Sequence, residues 1–216
     1  MAVLPAPPLL LITDRRQARG DLAEVVRAAC AGGCRWISLR EKDLPEAEQL
    51  ALFAHLRAAV APFRAQLTLH GAPELARAAG ADGVHLPDGG DVAAARALLG
   101  PHALIGLSIH TLADAGGSDA VHADYITASP VFQTASKPGY GPALSVAGLA
   151  VFAAAAVVPV VALGGIEAHT ARSCLDAGAK GIAVMGTVMR AEDSAESVRR
   201  LIAALNQPPA SGDSPV

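Results

Sequence analysis

Val161–Ala162–Leu163–Gly164–Gly165–Ile166 and, one helical stretch later, Ala183–Val184–Met185–Gly186–Thr187 are short apolar runs that each break at glycine. Apolar residues at consecutive rather than alternate positions are what a strand buried on both faces needs. Between the two runs, Ala168–Ala177 reads as a helix, and Gly178 supplies its left-handed terminator. Strand, helix, strand is the parallel crossover unit. Towards the N-terminus the unit recurs. Strands are predicted at Leu9–Asp14, Trp36–Glu41, Gln66–His70, Gly83–Pro87, Leu104–His110 and Tyr125–Val131, ahead of Pro159–Gly164 and Gly181–Gly186. Helices are predicted at Asp21–Ala31, Pro45–Val60, Pro73–Ala79, Val92–Leu99, Thr111–Ala115 and Ser145–Ala156, with Ser194–Asn206 closing the series. Strand–helix units at roughly 25-residue spacing predict closure of the sheet. The fold class is therefore α/β, a single (β/α)8 TIM barrel over residues 1–207, with a disordered tail at 208–216 rich in proline, serine and glycine. An open doubly wound sheet would want a glycine fingerprint after its first strand, and Thr13–Asp14–Arg15–Arg16 offers none.

Composition agrees with a packed barrel. The 216 residues are 52% hydrophobic and only 3% aromatic, so alanine, valine and leucine must fill the core. A formal net charge of −3 without a basic run argues against nucleic acid as a partner. The stretch from Gly139 to Ile166 carries no formal charge. Gly141, Pro142, Gly148 and Pro159 interrupt it, so it reads as loop, helix and strand and not as a membrane span. Cys30, Cys34 and Cys174 lack metal-ligand spacing. A reduced, cytoplasmic compartment is expected.

Chemistry in a barrel of this kind sits at the carboxyl ends of the strands. Gly164 and Gly165 after strand seven, with Met185 and Gly186 after strand eight, let backbone N–H groups approach an anion, and phosphate is the expected ligand. Strand two ends Leu39–Arg40–Glu41–Lys42–Asp43. Alternate positions put Arg40 and Lys42 on one side, with Glu41 pointing away or bracing a neighbour. A fork and a point charge together suit a diphosphate. The loop Gln133–Tyr140, with Thr134, Ser136 and Lys137, reads as a lid over an anion. His70, His85 and His110 lie near strand ends. His85 reads as a packed core residue and His70 as the one facing ligand.

These stretches occur together and in order: Leu11–Ile12–Thr13–Asp14, Leu39–Arg40–Glu41–Lys42, Gly83–Val84–His85–Leu86, Gly106–Leu107–Ser108, Val131–Phe132 with Thr134 through Lys137, and Leu163–Gly164–Gly165–Ile166. On that set the chain resembles the thiamine phosphate synthase and TenI family from Leu9 to about Asn206. The resemblance implies a transferase joining hydroxymethylpyrimidine diphosphate to thiazole phosphate with release of diphosphate. It implies Arg40, Lys42, Ser108 and Lys137 on the diphosphate, and Thr134 and Ser136 at the junction. The backbone at Gly165, Met185 and Gly186 would hold the thiazole phosphate. The partners implied are phosphorylated thiazole and pyrimidine small molecules. The cofactor implied is Mg2+ if synthase chemistry is retained, and otherwise none. A homo-oligomer is compatible with the apolar barrel exterior.

The departures from the family pattern lie on one side of the site. Ser38 stands where the synthases place glutamine, and His70–Gly71 where they carry asparagine and aspartate. Pro87–Asp88–Gly89–Gly90–Asp91 has glycine at the nominal metal position, which leaves Asp88 or Asp91 as replacement ligand. Restoring the lost side chains at His70, Gly71 and Gly90 is expected to raise synthase activity. In the TenI branch a histidine near the end of strand six tautomerises the thiazole; the matching residue here is Pro130, and His70 is its candidate substitute. A tautomerase and a non-catalytic binder of thiazole or thiamine phosphate are the alternative functions.

Overall fold

The computed structural model describes residues 3–117, 120–134 and 143–208. Its strands are β1 (Leu9–Ile12), β2 (Trp36–Leu39), β3 (Gln66–His70), β4 (Gly83–Leu86), β5 (Leu104–Ile109), β6 (Tyr125–Ala128), β7 (Val160–Leu163) and β8 (Gly181–Val184). All neighbours pair in parallel, and β8 closes on β1 with Leu10 opposite Ala183. The barrel is therefore closed, as the spacing predicts. Most strands end one to three residues before the sequence suggests. The reason is functional geometry: those last residues leave the ladder to form the rim.

The helices are α1 (Leu22–Ala31), α2 (Glu46–Val60), α3 (Pro73–Ala78), α4 (Val92–Leu99), α5 (Leu112–Ala115), α6 (Ser145–Ala155), α7 (Ala168–Asp176), α8 (Gly186–Met189) and α9 (Ser194–Leu205). Three start on aspartates that accept a backbone N–H from three residues on: Asp21 from Glu24, Asp91 from Ala94 and Asp193 from Glu196. Only α8 is absent from the sequence reading, which drew the eighth strand through Gly186 and placed no helix before Ser194. It sits directly on the carboxyl end of β8. Residues 209–216, most of the expected tail, lie outside the described residues.

Two cores form. Between strands and helices runs a large apolar layer that includes Leu11, Val26, Ile37, Phe53, Leu69 and Ile182. Inside the barrel, Leu10, Ile12, Trp36, Leu104, Tyr125, Val161 and Ala183 make a plug, with Trp36 and Tyr125 edge to face at 4.8 Å. A Cβ on Gly106 would fall within the Tyr125 ring, so glycine there is what admits the tyrosine. The plug floors the site above it. Among the described residues no helix is long and apolar enough to cross a membrane.

Candidate active site

A cavity of about 440 Å3 opens above this plug, lined by residues from the carboxyl ends of the strands and the loops that follow them. Strand parity assigns the faces. On β2, Trp36 belongs to the plug and Ser38 is buried at 1% exposure, while Arg40 and Lys42 line the cavity. Successive even-numbered residues thus climb from core to rim. Ser38 is not among the lining residues; it sits one layer too deep for the substrate-binding role expected of it.

The charges at the end of β2 sort themselves by the same alternation. Glu41, 2% exposed, accepts from the backbone N–H of Arg15 and from its Nη1, both at 3.0 Å. Asp43 pairs with Arg15 and Arg16, and the Arg15 guanidinium holds its carboxyl down at about 2. The Arg40 N–H is fixed by Thr13 Oγ1 at 2.9 Å. Among the described residues neither Arg40 nor Lys42 has a carboxylate partner, so their charge faces the cavity uncompensated. Partial burial and the Arg40 charge lower the pKa of Lys42.

Gly164, Gly165, Met185 and Gly186 also line the cavity. Gly165 takes φ +65, a conformation in which glycine carries no Cβ penalty. Its loop packs so closely on Phe132 and Gln133 that a Cβ would lie 2.8 Å from Phe132 Cβ. Gly186 opens α8, whose first N–H groups have no partner within the helix. Thr134 lines the cavity as well, whereas Ser136 and Lys137, with most of the expected lid, lie outside the described residues.

Deeper in the cavity runs a polar chain. His85 is 3% exposed, with Nδ1 3.0 Å from the Tyr125 hydroxyl and Nε2 3.0 Å from Ser108 Oγ. Burial raises the Tyr125 pKa and keeps its proton on. His85 thus bridges the Tyr125 and Ser108 hydroxyls through its two ring nitrogens. His70 lies beside this chain, its ring centroid 4.8 Å from that of His85, and lines the cavity with His110. Burial, assisted by Lys42 and Arg40, pushes the His85 pKa down to about 3. The unfolded chain therefore takes up a proton near pH 6.5 that the native state refuses. Folding stability should fall as pH drops from about 6.5 towards 3, by about 1.4 kcal/mol per pH unit from this residue. Urea unfolding from pH 4 to 6 should show that contribution disappear in His85→Gln; an unchanged slope would contradict the neutral buried imidazole.

The acidic residues do not assemble as a Mg2+ site would require. Among the described residues no group of three or more His, Cys, Asp and Glu could hold a metal ion. Asp91 spends its carboxylate on capping α4, and only Asp88 of the two candidates lines the cavity. Asp14 lines it too, but accepts from Arg16 N–H at 3.1 Å and from Gln17 Nε2. Glu167 caps α7. Among the described residues, the carboxylates lining the cavity, Asp14, Asp88 and Glu167, do not gather into the cluster that the implied ion needs. Two lining residues escaped the sequence reading altogether: Glu167, just before α7, and Arg190, beyond α8. The signal for Arg190 was its place one helical turn after Gly186, legible only once that turn is known to be helical.

The family model described as thiamine monophosphate synthase matches residues 9–188. A relative from Geobacter sulfurreducens is 44% identical over 207 residues, covering 95% of this chain and 96% of its own. The thiamine-phosphate synthase of Azorhizobium caulinodans is 39% identical over 198 residues, covering 89% of this chain and 92% of its own. Among solved structures, a thiamine phosphate pyrophosphorylase from Pyrococcus furiosus superposes with a TM-score of 0.77 at 32% identity, covering 91% of this chain and 94% of that one. The match runs from β1 through α8, the whole set of strands whose ends build the cavity, and makes the chain a member of the thiamine monophosphate synthase family.

Proposed function

We propose that this chain is a thiamine-phosphate synthase, a transferase that joins hydroxymethylpyrimidine diphosphate to thiazole phosphate. The observation that carries the reading is the pairing, within one cavity, of a glycine-lined cup on β7 and β8 with two uncompensated cations on β2. A monophosphate suits the first and a diphosphate the second. In the reaction the bond from the pyrimidine methylene carbon to the diphosphate oxygen breaks, and its electron pair leaves with the diphosphate. The thiazole nitrogen then donates its lone pair to that carbon. Arg40 and Lys42 neutralise the departing charge, and Ser108, its hydroxyl oriented by His85, donates to an oxygen of it. No protein nucleophile is needed, and no step is assigned to a metal ion.

A second reading, proton transfer on thiazole phosphate alone, is favoured by His70 lining the cavity at the place where the resemblance implies asparagine. Incubation with both substrates separates the two. The synthase reading expects thiamine phosphate and diphosphate in equal amounts. Deuterium exchange on the thiazole without either product would overturn it in favour of the second. The cytoplasmic location is supported by three buried free thiols. Exposed Leu112, Val121, Val151 and Val157, on and beside α5 and α6, support a homo-oligomer.

A further inference from the structure

Arg190 follows α8 and lines the cavity. Its guanidinium lies directly over Gly186, where a Cβ would fall 2.5 Å from Arg190 Cζ. Glycine at position 186 is thus what lets an arginine reach into the cup. Two further contacts set the position of the charge. Arg190 Nη1 donates to Gln17 Oε1. Gln17 Nε2 in turn donates to Asp14 Oδ2 and lies 3.5 Å from Met185 Sδ, which fixes which end of the amide faces the arginine.

The anchor is a neutral amide oxygen. Among the described residues Arg190 has no carboxylate partner, in contrast to Arg15, Arg19, Arg57, Arg96 and Arg172, each of which has one. Gln17 stands between Asp14 and the guanidinium, so the arginine is held in place without being neutralised. An arginine positioned by a neutral group, over a glycine and beside a ligand cavity, is arranged to receive an anion.

We infer that Arg190, positioned by Gln17, is the cation of the phosphate cup, and that it selects a dianionic phosphate monoester over its monoanion or the free alcohol. The inference rests on the cup reading above and adds to it a side chain that the backbone donors alone would not supply. A guanidinium presents two parallel N–H donors to two phosphate oxygens, and its charge counts for more on the dianion. Phosphate monoesters lose their second proton near pH 6. Affinity for the phosphorylated thiazole should therefore climb from pH 5 to pH 7 because of Arg190.

Calorimetric titration of the full-length protein with thiazole phosphate and with the unphosphorylated thiazole alcohol tests this. Arg190→Met should weaken thiazole phosphate about 10- to 100-fold, leave the alcohol unchanged and flatten the pH dependence. Arg190→Lys should keep most of the pH dependence while losing part of the affinity. Gln17→Leu should fall between wild type and Arg190→Met, since the charge remains but loses its anchor. Thermal melts of all variants establish that they are folded. If wild type binds thiazole phosphate and Arg190→Met matches it in affinity and pH dependence, Arg190 is not part of the cup, although the cup stands. If wild type binds no thiazole phosphate at all, the cup reading fails and takes this inference with it.

Discussion

Replacing Arg40 and Lys42 together by methionine is expected to lower synthase turnover by a factor on the order of 100 to 1,000, with the KM for thiazole phosphate changed less than about threefold. Both cations line the cavity and neither spends its charge on a carboxylate among the described residues. Their work therefore falls on the group that gains charge as the reaction proceeds. The leaving oxygen of the diphosphate takes on an electron pair at the transition state, so the loss should appear in kcat, and more strongly still in kcat/KM for the diphosphate substrate, whose ground-state charge the two cations also hold. The thiazole phosphate is held elsewhere, on β7 and β8, which is why its KM should hardly move. Arg40→Lys keeps the charge and loses the planar fork, and should cost about tenfold. Lys42 adds a pH signature. Its lowered pKa means that it sheds its proton earlier than an ordinary lysine as pH rises, so activity should decline on the alkaline side. In Lys42→Arg that decline should move to higher pH. Diphosphate release followed against pH reads all of this, and a double variant within threefold of wild-type turnover would remove the cations from the mechanism.

The barrel was legible because its strands are consecutive apolar runs and its helices carry their own stop and start signals. Asp21 caps the helix that follows it, and Gly178 takes φ +99 just after α7, as a terminator does. The alternation at the end of β2 was legible for a related reason: parity survives the end of the ladder, so Arg40 and Lys42 reach the cavity and Glu41 turns back to Arg15. Depth was not legible. Nothing in the run Trp36–Leu39 says that Ser38 lies beneath the cavity floor, because depth is fixed by the shear of neighbouring strands and not by local pattern. Nor could the sequence show that Asp91 is committed to the first turn of α4 while Asp88 is not. Arg190 was missed because one turn of helix leaves no periodic trace.

Backbone conformation decides what restoring the metal ligands should do. Read from sequence, His70→Asn with Gly71→Asp and Gly90→Asp simply returns three side chains. The backbone argues otherwise. Gly71 sits at φ +151, a region that side chains with a Cβ rarely enter, and its N–H is tied to the His85 carbonyl at 3.1 Å. An aspartate there costs about 1–3 kcal/mol. Gly90 closes a turn onto Pro87, and a Cβ would meet Leu86 Cβ at 2.8 Å and the Pro87 carbonyl at 3.0 Å. Relief requires the chain itself to move, at about 1–3 kcal/mol more. The triple variant should therefore melt roughly 10 °C below wild type and gain no more than about twofold in Mg2+-dependent turnover. His70→Asn alone meets neither obstacle and should melt close to wild type, which isolates the pyrimidine side from the metal side. On this view the carboxylates were not merely lost: the loops after β3 and β4 have settled into shapes that exclude them. A stable triple variant with a large Mg2+-dependent gain would show instead that these loops still relax around an ion. Strong Mg2+ dependence in the unmodified protein would point to Asp88, the lining carboxylate of that loop, as the ligand that replaced them.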